Sequence, residues 1–320
     1  MAPDHGGMTS PAALPRGSWA DTLKRTVREF KQDKLQHWAA ALTYYAVLSL
    51  FPALLVMVAL VGLFANPDTV TKFLTDVIGA LGPDTAVDTF KGPIESVTAN
   101  KGAAGVVAII GVLSALWSAS GYVGAFTEAS NTIYEVEEGR PFWKLKPLQL
   151  LVTFICISLV AVTALALVVS GPLATAVGDA IGLGDAAVTA WQYGKWPAML
   201  LLVLVILHVL YFASPNAKVR KKWVSPGAIL TLVVWIVASI VFAFYVANFG
   251  SYNKTYGTMG GVVVFLLWLW ITNIAVLLGV EYNAEVERTA EMKQGVPGAD
   301  RELKLPERDR PSEKQRASTA

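Results

Sequence analysis

The chain has 320 residues, 54% of them hydrophobic and only 16% charged, with a net charge of +2 and a mean hydropathy of +0.50. Soluble domains carry about a quarter charged residues, so this balance excludes an ordinary soluble fold and points to an all-α, polytopic membrane protein, because helices satisfy their own backbone polar groups in lipid. The near-neutral charge gives no basic footprint for nucleic acid, and a single cysteine, Cys156, excludes an intrachain disulfide and any CxxC metal or redox pair.

Residues 1–18 read as a disordered tail without the basic-then-apolar order of a signal peptide. From Trp19 to His37 the pattern is a basic amphipathic helix, with Trp19, Leu23, Val27, Phe30 and Leu35 sharing a face and Lys24, Arg25, Arg28, Lys31 and Lys34 outside it. Such a helix either lies among anionic headgroups or packs on the cytoplasmic mouth of a helix bundle. The first span, about 38–65, carries Thr43, Tyr44, Tyr45 and Ser49 in its first half, and Pro52 removes a backbone donor and predicts a mid-membrane kink. Those hydroxyls either bond to neighbouring helices or line a cavity beneath a proline hinge.

Residues 66–101 form the longest connection. Val70, Phe73, Leu74, Val77, Ile78 and Leu81, then Val87, Phe90, Ile94 and Val97, repeat at helical spacing and predict two external amphipathic helices too polar to span. The second span, about 104–128, presents Ser114, Ser118, Gly121 and Ala125 as a small-residue stripe that ends at Glu128. The third span is placed at 148–170 and the fourth at 196–213, anchored by Trp191, Tyr193 and Trp196 and containing His208. A membrane histidine is either a proton relay or a neutral imidazole hydrogen-bonded inside the bundle. A fifth span follows at 227–249.

The sixth span, 259–281, is the plainest: no charged side chain falls between Lys254 and Glu281, which exceeds the roughly 20 apolar residues that cross a bilayer. It is preceded by a Gly-rich turn with Tyr252 and Tyr256, holds Asn273 well inside, and ends on Glu281, Glu285 and Arg288. Residues 289–320 lack apolar periodicity and read as a disordered cytoplasmic tail. Of the 26 Lys and Arg residues, 21 fall on the side of the two termini and five on the other, which places both termini inside. The ends Glu128, Glu281 and Glu285 are then carboxylates either reaching water or serving a site.

Four segments carry a resemblance: AAALTYYAVLSLFPALL, EEGRPFW, YFASPNAKVRKKWVSPGA and FGSYNKTYGTMGGVVVFLLWLWITNIAVLLGVEYNAEVER. Over about Phe30 to Arg288 the chain resembles the YihY/BrkB family of bacterial inner-membrane proteins, once labelled ribonuclease BN and linked to serum resistance. The resemblance implies six helices with cytoplasmic termini. Function divides between translocation of a lipid-like or amphipathic solute, a scaffold for envelope partners and, less favoured, a membrane ribonuclease. His5, His37 and His208 have no metal-ligand spacing and no Walker A motif occurs, so neither a cofactor nor enzymatic activity is expected. Candidate pathway or gating residues are Tyr44, Tyr45, Ser49, Pro52, Ser114, Ser118, Glu128, His208, Tyr252, Tyr256, Asn273 and Glu281; the partners expected are membrane lipids and an amphipathic substrate.

Overall fold

The structure, a computed structural model, describes residues 16–62, 104–168, 185–219, 224–248 and 258–311. Among them run seven helices: α1 (Arg16–Gln32), α2 (Leu35–Gly62), α3 (Ala104–Ile133), α4 (Phe142–Val168), α5 (Asp185–Ala213), α6 (Pro226–Asn248) and α7 (Thr258–Lys293). Five described stretches are long and apolar enough to cross a membrane: Ile110–Ile133, Phe142–Leu167, Ala187–Ala213, Pro226–Ala247 and Gly260–Lys293. The external pair expected at 66–101, and Tyr252 and Tyr256, lie outside the described residues.

Helix ends depart from the apolar runs. Helix α5 begins at Asp185 and brings Lys195 into the bundle side, 7% exposed, beside the Trp196 ring; α4 begins at Phe142 and includes Lys144 and Lys146. Hydrogen bonding propagates a helix beyond its apolar part wherever the flanking residues are tolerant of helix. The start of α6 is fixed more sharply. Pro226 occupies the first turn, Ser225 Oγ accepts from the Ala228 N–H, and Asn283 on α7 accepts the Gly227 N–H at 2.8 Å.

The core lies toward the end of the bundle that carries α1. Leu35, Ala39 and Leu42 of α2 meet Phe126, Ala129 and Ile133 of α3, Leu207, Leu210 and Tyr211 of α5, and Leu277, Val280 and Ala284 of α7. Phe126 is sandwiched between Tyr122 and Tyr211, with ring centroids 6.5 and 6.2 Å away. Helix α2 packs mainly on α3, α6 on α7, and α7 in turn on α2 and α1. Two glycines set the α6–α7 crossing. A Cβ on Gly227 would fall 1.9 Å from the Gly279 carbonyl oxygen, and one on Gly279 would fall 1.9 Å from Thr231 Oγ1.

The face that apolar spacing predicts for Trp19 to His37 is buried only in part: Leu35 is in the core, Phe30 packs against it and Trp19 is half-buried. Thr22 and Thr26 are fully buried, while Leu23 and Val27 are exposed. Beyond Val280 its partner α7 turns polar, so α1 offers its polar stripe: Thr22 bonds Thr289, Arg25 bonds Glu285, and Trp19 stacks on Tyr282. Helix α1 therefore packs on the bundle through its polar stripe and leaves Lys24, Arg28 and Lys31 exposed on the other face.

The expectation of a disordered tail over 289–320 is corrected for residues 289–311, and residues 312–320 lie outside the described residues. Helix α7 continues to Lys293, and residues 294–311 fold back on the same end of the bundle. Leu303 is buried, Ala217 pairs with Glu307 in an isolated antiparallel bridge, and the Lys218 N–H donates to the Pro306 carbonyl. Arg308 stacks over Phe212 and donates to the carbonyls of Phe212 and Ala217. Arg140, itself clasped by Glu138, supplies the carbonyls of Ala213 and Ser214. The open C-terminal carbonyls of α5 are thus met by two guanidiniums rather than by water. Burial alone would raise the Glu138 carboxyl, yet the hydrogen bonds and charge of Arg140 hold it below the usual carboxylate range.

This tail is anchored by polar contacts that apolar periodicity does not register. Asn216 donates to the carbonyls of Glu137 and Asp309, and Gly139 leaves no room for a Cβ, which would fall 1.9 Å from the Asp309 carbonyl oxygen. Gly139→Ala is expected to displace residues 303–311 and speed their limited proteolysis about tenfold, the yield of a clash costing on the order of 1–3 kcal/mol. An unchanged cleavage rate would contradict the docked tail.

Candidate functional site

A cavity of about 330 Å3 lies in the middle of the bundle, and α2 to α7 all contribute to its wall. This volume is at the lower end of small-molecule sites. Ala53, Ala119, Val123, Ile157, Val160, Val203, Ile206, Leu207, Leu232 and Val276 make the wall mainly apolar; Ser49, Tyr122, Thr153, Thr231, Trp235 and Thr272 add scattered polar tips. Cys156 also lines it.

Most of those tips are committed within the protein. Tyr122 donates to Asn273 Oδ1 at 2.9 Å, and Asn273 Nδ2 donates to Thr43 Oγ1 at 3.1 Å, which in turn donates to the Ala39 carbonyl. This chain crosses α3, α7 and α2. On the opposite wall Tyr211 and Thr231 lie 2.7 Å apart and reach the Val276 and Ala275 carbonyls, while Trp235 Nε1 donates to Thr272. Hydroxyls that back-bond to the helix, such as Thr153 to the Gln149 carbonyl, have spent their donor and keep only acceptor capacity. The result is an apolar chamber with a few fixed acceptors, a lining suited to a chain or ring with an occasional polar group.

The residues singled out from sequence are distributed unevenly around it. Ser49 lines the cavity and Asn273 lies directly behind it through Tyr122. Pro52 is half-buried within a continuous α2. Tyr44 and Tyr45 are exposed on the outer side, and the Tyr45 ring rests against Gly121 at the α2–α3 contact. Ser114 and Ser118 are also exposed, as is Glu128; the buried stripe of α3 is one residue over, at Ala115, Ala119, Val123 and Phe126. His208 sits apart from the chamber, stacked on Phe212 beside a cleft of about 40 Å3 that Ser225, Asn283 and Glu287 also line. The wall residues Tyr122, Thr231, Trp235 and Thr272 went unnoticed in the sequence. Their only signal is a polar tip inside an apolar run.

Glu281 and Glu285, each 1% exposed, belong to a second assembly at the charged end. Glu285 accepts from Arg25 at 2.8 Å and lies 2.9 Å from Arg288 Nε; Arg288 also donates to Glu135 at 2.6 Å, whose other oxygen accepts the Leu303 N–H. Two carboxylates bridged by Arg288 thus tie the parts together: Glu285 joins α1 to α7, and Glu135 joins α7 to the segment after α3 and the tail. Asp33, in the turn from α1 to α2, is pushed up to about 6 by burial first and then by Glu29 and Glu135, with Arg288 opposing. A raised acid binds its proton more tightly folded than unfolded, so its ionisation removes stability as pH rises from about 4 to about 6. Asp33→Asn is therefore expected to raise the melting midpoint by about 3 °C near pH 7.5, a figure discounted for partial exposure, and to leave it unchanged near pH 4. Equal midpoints at both pH values would remove this role for Asp33.

An all-helical chain with these apolar helices, a shared central chamber and one charged end defines a multi-pass helical membrane protein. It belongs to the Virulence factor BrkB family, whose model matches residues 26–302. It is similar to the ribonuclease-like protein YfkH of Bacillus subtilis, 30% identical over 275 residues that cover 86% of this chain and 98% of that one. It is also similar to UPF0761 membrane proteins of Stenotrophomonas maltophilia, 28% identical over 80% of this chain and 58% of the relative, and of Neisseria meningitidis serogroup B, 28% identical over 76% and 57%. The chain thus spans nearly all of the first relative but little more than half of the other two. No solved structure matches it.

Proposed function

We propose that this chain is a non-catalytic inner-membrane protein that moves a lipid-like or amphipathic solute through the six-helix chamber. The observation that carries this reading is the cavity of about 330 Å3 walled by α2 to α7, apolar with a few hydroxyl tips. Helix α2 serves as the sixth span: no charged residue occurs from Leu35 to Gly62. The 21 to 5 division of Lys and Arg supports cytoplasmic termini, with the α1–α7 assembly and the folded tail on the inner side. There α1 rests at headgroup level, with Leu23 and Val27 toward lipid and its basic residues toward anionic headgroups.

The ribonuclease-like name of the Bacillus subtilis relative has no counterpart in the groups that line the chamber, which include no carboxylate or imidazole. Flux in reconstituted vesicles tests the proposal. Purified protein in phosphatidylglycerol vesicles is expected to move fluorescent short-chain phospholipid or a lipophilic amine between leaflets at least about tenfold faster than protein-free vesicles, a difference of about 1.4 kcal/mol in barrier. Rates equal to the protein-free control for phospholipid, fatty acid and amine probes alike would overturn it.

A further inference from the structure

Glu281 is a buried carboxyl group that no ion pair compensates among the described residues. Its side chain is 1% exposed and its Oε2 has no hydrogen-bond partner. An isolated buried carboxylate loses its hydration without replacement, so it either acquires a cation or keeps a proton. The nearby guanidiniums are already engaged: Arg25 by Glu285, and Arg288 by Glu285 and Glu135.

Of the charged groups around it, Glu29, Asp33 and Glu285 add negative charge, and Arg288, already engaged, opposes them. Glu29 and Asp33 act on Glu281 from α1 and the following turn, Glu285 and Arg288 from α7 itself, and Tyr134 from the end of α3. Helix α2 contributes the fully buried Leu35 and Ala39. Asp33 is half-buried, which gives it contact with both solvent and the interior. Glu281 also stands on the α7 stripe that runs through Leu277 to Asn273, two turns or roughly 12 Å along the axis, where Asn273 holds the wall tyrosine Tyr122.

We propose that Glu281 is a proton-binding site, loaded from the charged end through Asp33. A hydronium ion gives its proton to the Asp33 carboxylate and leaves as water; the proton is then passed inward, the Asp33 O–H bond breaking and an O–H bond forming at Glu281 Oε2, which leaves Asp33 ionised and ready to reload. The reading of the proton as a coupling ion rests on the proposed translocation, but occupancy of the site does not, and it is measured without flux.

Infrared spectra of the full-length protein in lipid films, with glutamate carboxyls labelled in 13C, provide the test. At about pH 7.5 the unsubstituted protein should show a protonated, 13C-shifted glutamic acid band that is absent from Glu281→Gln. Asp33→Asn should retain that band and slow its deuterium exchange roughly tenfold. An unsubstituted protein whose glutamates are all ionised, with sodium present or absent, overturns the site; this result needs no variant and stands even if Glu281→Gln fails to fold. A band that persists in folded Glu281→Gln assigns the proton elsewhere and likewise overturns it. Unchanged exchange in Asp33→Asn overturns the loading route. A failed flux assay alongside the expected spectra would reject translocation and leave the proton site standing.

Discussion

Gly279→Ala is expected to cost the fold about 3 kcal/mol or more, at the upper end of overpacking effects. The new methyl would sit 1.9 Å from Thr231 Oγ1, 2.5 Å from the Tyr211 hydroxyl and 2.6 Å from the Gly227 carbonyl oxygen. No side-chain rotation relieves the last contact, because it is with backbone. Moving Thr231 would also break its hydrogen bonds to Tyr211 and the Ala275 carbonyl, leaving buried polar groups unmet. Helices α6 and α7 must therefore separate, and the chamber wall formed by Thr231, Trp235, Thr272 and Val276 separates with them. Thermal unfolding in detergent measures the effect. Gly261→Ala is the control, since its Cβ would meet nothing within 4 Å; equal midpoints for the two variants would contradict the close crossing.

Glu285→Gln is expected to be comparably severe. Breaking one side of a buried ion pair costs about 3–5 kcal/mol, because the partner charge is left without compensation. Here Arg25 on α1 loses its carboxylate outright, and Arg288 on α7 loses one of two, keeping Glu135. The loss should loosen α1 first, so that trypsin cuts at Lys24 and Arg25 well before the bundle unfolds. Adding Arg25→Gln should restore part of the stability, since the double variant removes a charge that the single one strands. A single variant as stable and as protease-resistant as the parent would contradict the role assigned to this carboxylate.

The membrane helices were legible in the sequence because lipid demands long uncharged runs, and α7 from Met259 to Val280 is such a run. Asn273 was legible for the same reason: an amide within an apolar helix needs partners, and it has Tyr122 and Thr43. Helix orientation was less legible. In a span both the lipid face and the core face are apolar, so periodicity does not separate them, and the small stripe at Ser114 and Ser118 proved to be outward, with Ala115 and Ala119 inward. The buried face of α1 eluded periodicity for the opposite reason, since its partner surface on α7 is polar. The tail through Pro311 gave no apolar signal because hydrogen bonds to Asn216 and the carbonyls at the end of α5 hold it. Gly279 stood among many apolar neighbours, and only the proximity of Gly227 and Thr231 gives it meaning.

Whether the chamber holds a solute is measured most directly by photo-crosslinking. A phospholipid carrying a photoreactive group in its acyl chain would be equilibrated with the protein in bilayers, activated, and its attachment sites mapped by mass spectrometry. Occupancy of the chamber predicts adducts at Ile157, Ile206 and Leu207, which line it, and their loss in Ala119→Phe, whose ring would fill the space. Adducts at outward residues such as Leu113, Leu201 and Ile240, which are exposed, should be equal in both proteins. Adducts confined to those outward residues, or chamber adducts indifferent to Ala119→Phe, would contradict a solute-binding chamber.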